Sequence, residues 1–386
     1  MTYRTLRFSL LATTIAASSS AMAQIVPPAA ATPEACVSIA TDATRLACYD
    51  AALSRTATDT RTADAVAEQA KEQARTNQQT LAPADDAPLA DRTRHKLGSL
   101  FHDSDVYDAA VANSGKGSLL DSRWELAKDS KLGLFQLRAY KPVYVLPVFW
   151  TSDSNKAPQS PNPANTVTTP EELDSLEAKF QLSFKTKIAE NLLGDNGDIW
   201  AAYTQSSRWQ VYNSEISRPF RETNYEPEVM MVFRNNYGIA GWRGRMMGIS
   251  LNHQSNGRGD PLSRSWNRAI VSVGLDRENW ALTLRPWYRF EENAADDNNA
   301  DIEDYMGRGD ATLTYTKNGH EFTVMGRHSL RGGDKSHGAV QLDWGFPINR
   351  QLRGHVQVFD GYGESLIDYN HKAAYVGMGI SLLEWF

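Results

Sequence analysis

His253 and Ser255 stand two residues apart in the stretch NHQSNGRGDPLSRSWNR (252–268), and Asn267 lies near its end. A serine hydroxyl is a poor nucleophile until a neighbouring base takes its proton. Histidine suits that task because its charge changes near neutral pH. The base in turn needs a third group that accepts from its other ring N–H and so fixes its tautomer. Ser255, His253 and Asn267 thus read as the nucleophile, proton acceptor and orienting group of an acyl-transfer site. Asn267 can play its part through its side-chain carbonyl without bringing a charge to a membrane edge. Asparagine in place of aspartate is severely harmful in a protease triad, which makes Asn267 the least conventional of the three. The plain alternative is a polar loop rim, since His-x-Ser arises easily by chance.

Whether these side chains can meet depends on the elements that carry them. From about residue 133 the chain is rich in Trp, Tyr and Phe and alternates between apolar and polar positions. In KFQLSFKTKI (179–188), Phe180, Leu182, Phe184 and Ile188 share one face, and Lys179, Gln181, Ser183, Lys185 and Lys187 the other. VQLDWGF sets Val340, Leu342, Trp344 and Phe346 against Gln341, Asp343 and Gly345. AAYVGMGISLLEWF groups Val376, Met378, Ile380, Leu382 and Phe386 on one face. Too few apolar strands or core helices exist to cover so many greasy faces. Lipid can cover them, in an all-β outer-membrane barrel with a polar, hydrogen-bonded interior.

Twelve segments long enough to cross as tilted strands run from 137 to 386, among them 223–234, 241–255, 264–276, 304–316 and 372–386. Short turns at Asp276–Asn279, Lys317–His320 and Pro347–Arg350 alternate with long loops such as 152–176 and 291–304. Short turns belong to the periplasmic side of such a barrel and long ones to the outside. Met247, Ile249 and Leu251 lead by parity to His253 and Ser255, while Asn267 shares its parity with Ala269, Val271, Val273 and Leu275. Antiparallel pairing therefore brings the three polar residues together on the lipid-facing wall, near its extracellular edge. Polar groups are costly there and call for a function.

The N-terminal MTYRTLRFSLLATTIAASSSAMAQ has Arg4 and Arg7, an apolar run and a small-residue cleavage site after Ala23. Residues 1–23 read as a signal peptide, so the mature chain is exported. Residues 24–57 read as a small helical segment whose Cys36 and Cys48 form one disulfide in an oxidising compartment. A redox or metal pair is the weaker alternative at this spacing. Residues 55 to about 95, polar and almost free of aromatics, read as a solvated, partly helical stretch of a flexible linker and lead-in that spans 58–132, and 133–386 reads as the barrel. The net charge of −6, without single-sign blocks, gives no reason to expect a nucleic-acid partner. A transport or structural barrel with Lys179, Lys185 and Lys187 in its lumen, a soluble sandwich and a soluble secreted esterase are the competing readings.

NHQSNGRGDPLSRSWNR, PFRETNYEP (219–227), DYMG (304–307) and GYGESLIDYN (361–370) closely resemble outer-membrane phospholipase A, over about 137–386. The resemblance implies a twelve-stranded antiparallel transmembrane β-barrel. It also implies calcium-dependent hydrolysis of sn-1 and sn-2 acyl esters of phospholipids and lysophospholipids, with Ser255 as nucleophile, His253 as base and Asn267 as its orienting partner. The implied calcium ion sits beside the nucleophile on the Arg258 backbone carbonyl, Ser263 and, across a dimer interface, Ser217. Calcium prefers such oxygen ligands. Asp297 matches a ligand of the family's monomeric state, in a loop that is longer here. Gln205 matches a polar residue at the family's dimer interface, although it reads equally well as a barrel-wall glutamine. Activation by homodimerisation completes what the resemblance implies. The outer-membrane location with the site toward the outer leaflet and the periplasmic N-terminal extension, which lies outside the resemblance, are read from the strand alternation and the turn asymmetry.

Overall fold

Unpaired backbone groups cannot be left in lipid, so a spanning sheet must close on itself. The computed structural model describes Cys36, Val37, residues 60–81 and residues 109–386 apart from 295, 350 and 351. Twelve strands form the wall: β1 (Val143–Thr151), β2 (Leu176–Ala189), β3 (Asp198–Trp209), β4 (Phe220–Ile239), β5 (Trp242–Ser255), β6 (Ser265–Arg277), β7 (Trp280–Phe290), β8 (Gly309–Lys317), β9 (His320–His328), β10 (Gly338–Pro347), β11 (Arg353–Tyr362) and β12 (Lys372–Leu383). Each pairs antiparallel with the next, and β12 pairs with β1, which closes the ring. A short piece, Leu137–Ala139, also pairs with β2 just before β1 begins. The signal peptide, Cys48 and all of 24–57 except Cys36 and Val37 fall outside the described residues, and with them the expected Cys36–Cys48 bridge.

Alternation sorts the side chains as expected of a membrane barrel. Leu182, Phe184, Ile188, Met247, Ile249, Leu251, Val376, Met378 and Leu382 are exposed outside, while Lys179, Ser183, Lys185 and Lys187 are buried inside. At one end the hairpins are tight. Ala240–Gly241 and Asn318–Gly319 both take positive φ, the backbone that lets a two-residue turn follow the strand twist. At the other end the loops are long, including 152–175, 256–264 and 291–308.

The structure departs from expectation in four places. The segment expected as a strand at 304–316 begins instead with a helical turn, Ile302–Met306, and its strand starts at Gly309. Strand β4 extends well beyond 223–234 at both ends. Phe386 does not join the outward row of β12. The chain leaves the strand after Leu383, and the Glu321 carboxylate accepts from the backbone N–H of Trp385 (2.9 Å) and Phe386 (3.0 Å). Phe386 then packs inward against the apolar cluster around Leu120 and Trp200.

The fourth departure is the linker. Helix α1 (Thr60–Leu81) docks at the tight-turn end of the barrel. Asp64 receives two hydrogen bonds from Arg245 (2.6 and 2.7 Å), Arg243 pairs with Glu68 (3.0 Å), and Lys71 donates to the Asn236 carbonyl (2.6 Å). Ala67 and Ala70 are buried beside them. The docking face is made of alanines and charges, so hydropathy gives no sign of it. A short helix, Ala109–Ala112, packs on α1.

A second short helix, Leu119–Trp124, fills the same end of the lumen, with Leu120 and Trp124 among Tyr140, Trp200, Met230 and Met246. The Lys185 ammonium sits 3.0 Å from the centre of the Trp124 ring, an arrangement that offsets desolvation with the ring's negative face. Glu125, just past this helix, pairs with Lys187 (3.0 Å) and Arg138 (2.9 Å) and accepts from the Leu132 N–H (3.1 Å). Burial alone would raise the Glu125 carboxyl, but these three donors outweigh it and hold the group below its ordinary value. Its contribution is therefore present above the unfolded pKa of about 4.3 and is lost as acid takes the pH down through the folded value. Glu125→Ala should cost about 3 kcal/mol locally, because three bonds to a charged group that tie the plug are lost and Arg138 is left unpaired, while Lys187 keeps Asp198 (3.2 Å). Hydrogen exchange of amides 119–135 should then accelerate about a hundredfold at pH 7. Unchanged exchange would mean that the apolar contacts alone hold the plug.

Candidate active site

Strands β5 and β6 pair His253 with Asn267 and Ser255 with Ser265. Their parity continues the outward row of Met247, Ile249 and Leu251, so His253 is exposed on the outer wall and Ser255 and Asn267 are half-buried there. Directly opposed residues on one face of an antiparallel pair come within side-chain reach. His253 Nδ1 lies 2.8 Å from Asn267 Oδ1. Asn267 Nδ2 donates on its other side to Glu292 Oε1 at 3.2 Å. Among the described residues the Ser255 hydroxyl and His253 Nε2 have no hydrogen-bond partner, and they occupy neighbouring positions of one face. Catalytic hydrogen bonds of this kind often tighten only when substrate binds. An open groove of about 530 Å³, lined by Pro227, Val229, Leu251, Asn267 and Phe290, runs beside the imidazole on the outer surface.

The inward face beneath this group is tied down. Arg268 Nη2 donates to Asn252 Oδ1 (2.6 Å) and Gln254 Oε1 (3.2 Å), and Gln254 Oε1 also accepts from the Trp266 indole (2.9 Å). Its guanidinium lies 4.0 Å from the centre of the Trp266 ring. Residues on both sides of the pair thus fix the backbone that presents His253, Ser255 and Asn267, as a preorganised site requires.

The loop 256–264 is ordered by its own polar groups. Asn256 Oδ1 accepts from the N–H of Arg258 (3.2 Å) and Arg264 (3.0 Å), and Asn256 Nδ2 donates to the Leu262 carbonyl (2.8 Å). Arg264 is fully buried and binds the carbonyls of Pro261, Ser263, Gln159 and Asn165. Burial pulls its guanidinium below the ordinary value, with Tyr369 and Glu222 partly restoring it.

The expected calcium ligands are placed unequally. Arg258 and Ser263 share this loop, where the Ser263 hydroxyl accepts from Asn298 Nδ2 at 2.8 Å. Asp260 adds a carboxylate to the same loop, with Oδ1 accepting from Asn165 (2.7 Å). Carbonyl, hydroxyl and carboxylate oxygens are the donors a hard cation takes, so this set fits calcium. Ser217 is on a different loop, 210–219, and is exposed. Asp297 does not fit as placed. It is buried, takes two hydrogen bonds from Arg289 (2.7 and 2.8 Å) and accepts from the Asn299 N–H (3.1 Å), so its charge is already matched.

Gln205 faces outward from β3, registered between Leu182 and Tyr225 on the adjacent strands, both exposed apolar neighbours. Sequence reading missed Glu292, which lies just past the end of β7 and outside every motif. Nothing in its local sequence signals a partner on β6.

The sequence model of the phospholipase A1 family matches residues 120–382. The chain belongs to the phospholipase A1 family. A putative phospholipase A1 of Neisseria meningitidis serogroup B is 39% identical over 267 residues, covering 68% of this chain and 69% of the relative. The crystal structure of the Salmonella typhi outer membrane phospholipase dimer with bound calcium is 36% identical and covers 65% of this chain and 94% of that one, at a TM-score of 0.58. A structure of Escherichia coli outer membrane phospholipase A with an active-site asparagine changed to alanine is 35% identical and covers 66% and 95%, again at 0.58. The family match starts inside the lumen-filling helix at Leu120, so α1 with Asp64 precedes it, while the Arg245 that Asp64 holds lies within it. This member of the phospholipase A1 family is an outer-membrane barrel with helix α1, which precedes the matched span, at its tight-turn end.

Proposed function

We propose that this phospholipase hydrolyses sn-1 and sn-2 acyl esters of phospholipids and lysophospholipids with Ser255 as nucleophile, His253 as proton acceptor and Asn267 as its orienting partner. The carrying observation is the 2.8 Å contact between His253 Nδ1 and Asn267 Oδ1 on the lipid-facing wall, beside an apolar groove. With Nδ1–H donating to Asn267, the Nε2 lone pair is free to take the Ser255 proton as the oxygen attacks the ester carbonyl. The protonated imidazole then gives that proton to the leaving lysolipid oxygen, and the acyl group stays on Ser255. A water, deprotonated by the same imidazole, releases the fatty acid and restores the serine. The groove accepts an acyl chain laterally from the membrane, which suits a substrate that is itself a bilayer component.

Calcium held by the Arg258 carbonyl and Ser263, with Ser217 from a second copy, would supply positive charge for the oxygen that turns negative. Gln205 among exposed apolar residues and Ser217 on an exposed loop both support a homodimer as the active form. The long loops support an active site toward the outer leaflet, and the tight-turn end with α1 supports a periplasmic N-terminal extension following a cleaved signal at 1–23. A transport role is disfavoured by the plug at 119–135, although a polar lumen cavity of about 190 Å³ remains above it.

Fatty-acid release from phospholipid in mixed micelles should require calcium and stop with a chelator. Equal release in both would remove the metal, and none from folded protein under any condition would remove the hydrolase. Ser263→Ala should raise the calcium concentration for half-maximal rate about tenfold. An unchanged calcium dependence would strike Ser263 from the ligands.

A further inference from the structure

We propose that Glu292 is a positioning residue for this site. It locks the Asn267 amide and, through it, the His253 tautomer, and it returns to the site the negative charge that asparagine lacks. The inference rests on the phospholipase reading of His253 and Ser255, and it concerns how an asparagine can serve where a carboxylate is the familiar choice.

An amide has two faces of opposite character. Its oxygen only accepts hydrogen bonds, and its NH₂ only donates. Either face can meet an imidazole Nδ1, because neutral histidine exists as two tautomers. If Asn267 offered its NH₂, Nδ1 would be the acceptor and the proton would sit on Nε2. Nε2 could not then act as a base toward Ser255. Nothing within the His253–Asn267 pair forbids that arrangement.

Glu292 does forbid it. An ionised carboxylate can only accept, and Glu292 Oε1 is 3.2 Å from Asn267 Nδ2. The NH₂ must face Glu292, so the carbonyl oxygen must face His253, where the 2.8 Å contact lies. Nδ1 therefore carries the hydrogen and Nε2 keeps its lone pair. The chain of requirements runs one way, from a group that cannot donate to a nitrogen that must accept.

The same carboxylate contributes charge. Proton transfer from Ser255 makes an imidazolium, and aspartate in the familiar triad stabilises that cation directly. Here the negative group stands one hydrogen bond further out, on the loop that follows β7. Glu292 and Asn267 are both half-buried at the barrel rim, where partial removal of water strengthens charge interactions over their bulk value. Glu292 has no other hydrogen-bond partner among the described residues, which leaves its orientation set by Asn267.

The test is a double-mutant cycle in the full-length protein with calcium, with a second readout that does not depend on turnover. Glu292→Ala should lower kcat about tenfold with KM within twofold, and Glu292→Gln, whose carbonyl can still accept from the Asn267 NH₂, should recover part of that loss. In an Asn267→Ala background, Glu292→Ala should have no further effect. Nitrogen NMR shifts of His253 in Ser255→Ala protein, assigned by comparison with His253→Gln, should report the Nδ1–H tautomer, and Glu292→Ala should admit the other. An unchanged kcat, an equal loss with and without Asn267, or a tautomer indifferent to Glu292 would each overturn the proposal. If the parent enzyme hydrolyses no phospholipid, the reading of the site fails, while the tautomer measurement still decides what Glu292 does.

Discussion

Ser255→Ala is expected to remove phospholipid hydrolysis almost entirely, by about 10⁶-fold in kcat. Ser255 is the hydroxyl next to His253 on the outward row of β5, whereas Ser265, across the pair on β6, donates its hydroxyl to Asn298 (3.4 Å). Alanine therefore leaves the imidazole little to deprotonate but water. Binding and electrostatic stabilisation survive such a change, so a residual rate about 10³-fold above the uncatalysed one is compatible with it. Barrel stability should not move. The Ser255 hydroxyl makes no hydrogen bond among the described residues, and the residue lies at the end of β5, where the ladder contributes through backbone groups. Fatty-acid release read against the heat-induced gel shift of the barrel separates the two effects. A loss below about tenfold would place the nucleophile elsewhere and leave His253 as an ornament of the rim.

Asn267→Ala should be the next most damaging change. Losing the orienting group frees the imidazole to turn and to swap tautomers, a defect that costs about 10⁴-fold when a protease aspartate is altered. A neutral amide contributes less charge than a carboxylate, so the expected loss here is smaller, about 10²- to 10³-fold in kcat. Stability should fall by no more than about 1 kcal/mol, because the bonds lost go to an exposed imidazole and a half-buried carboxylate. A rate within threefold of the parent would take Asn267 out of the site and leave the 2.8 Å contact without catalytic weight.

The wall and the direction of the site were legible along the chain for a geometric reason. Successive side chains of a strand point to opposite faces, so Met247, Ile249 and Leu251 decide where His253 and Ser255 point before any neighbour is known. The apolar parity of Ala269 to Leu275 does the same for Asn267. The tight turns were legible because Asn318–Gly319 is a pair whose backbone tolerates positive φ. Strand ends were less so. The turn at Ile302–Met306 is decided by burial against Trp266, Trp287, Leu366 and Tyr369, and the inward tuck of Trp385 and Phe386 by Glu321 and the cluster around Leu120, all contacts remote in sequence.

By itself, then, the sequence determined a closed apolar-out wall, its approximate strands and the lipid-facing direction of a nucleophile and its base, because alternation is a property of a few adjacent residues. The tertiary structure alone decided that Asp297 is taken by Arg289, that Lys187 and Arg138 hold Glu125 across the plug, that an alanine-rich helix clamps Arg245, and that Glu292 reaches Asn267. All of these are pairings of charged or polar side chains. Such pairings depend on which strands lie side by side and where each loop returns, and no local periodicity encodes that.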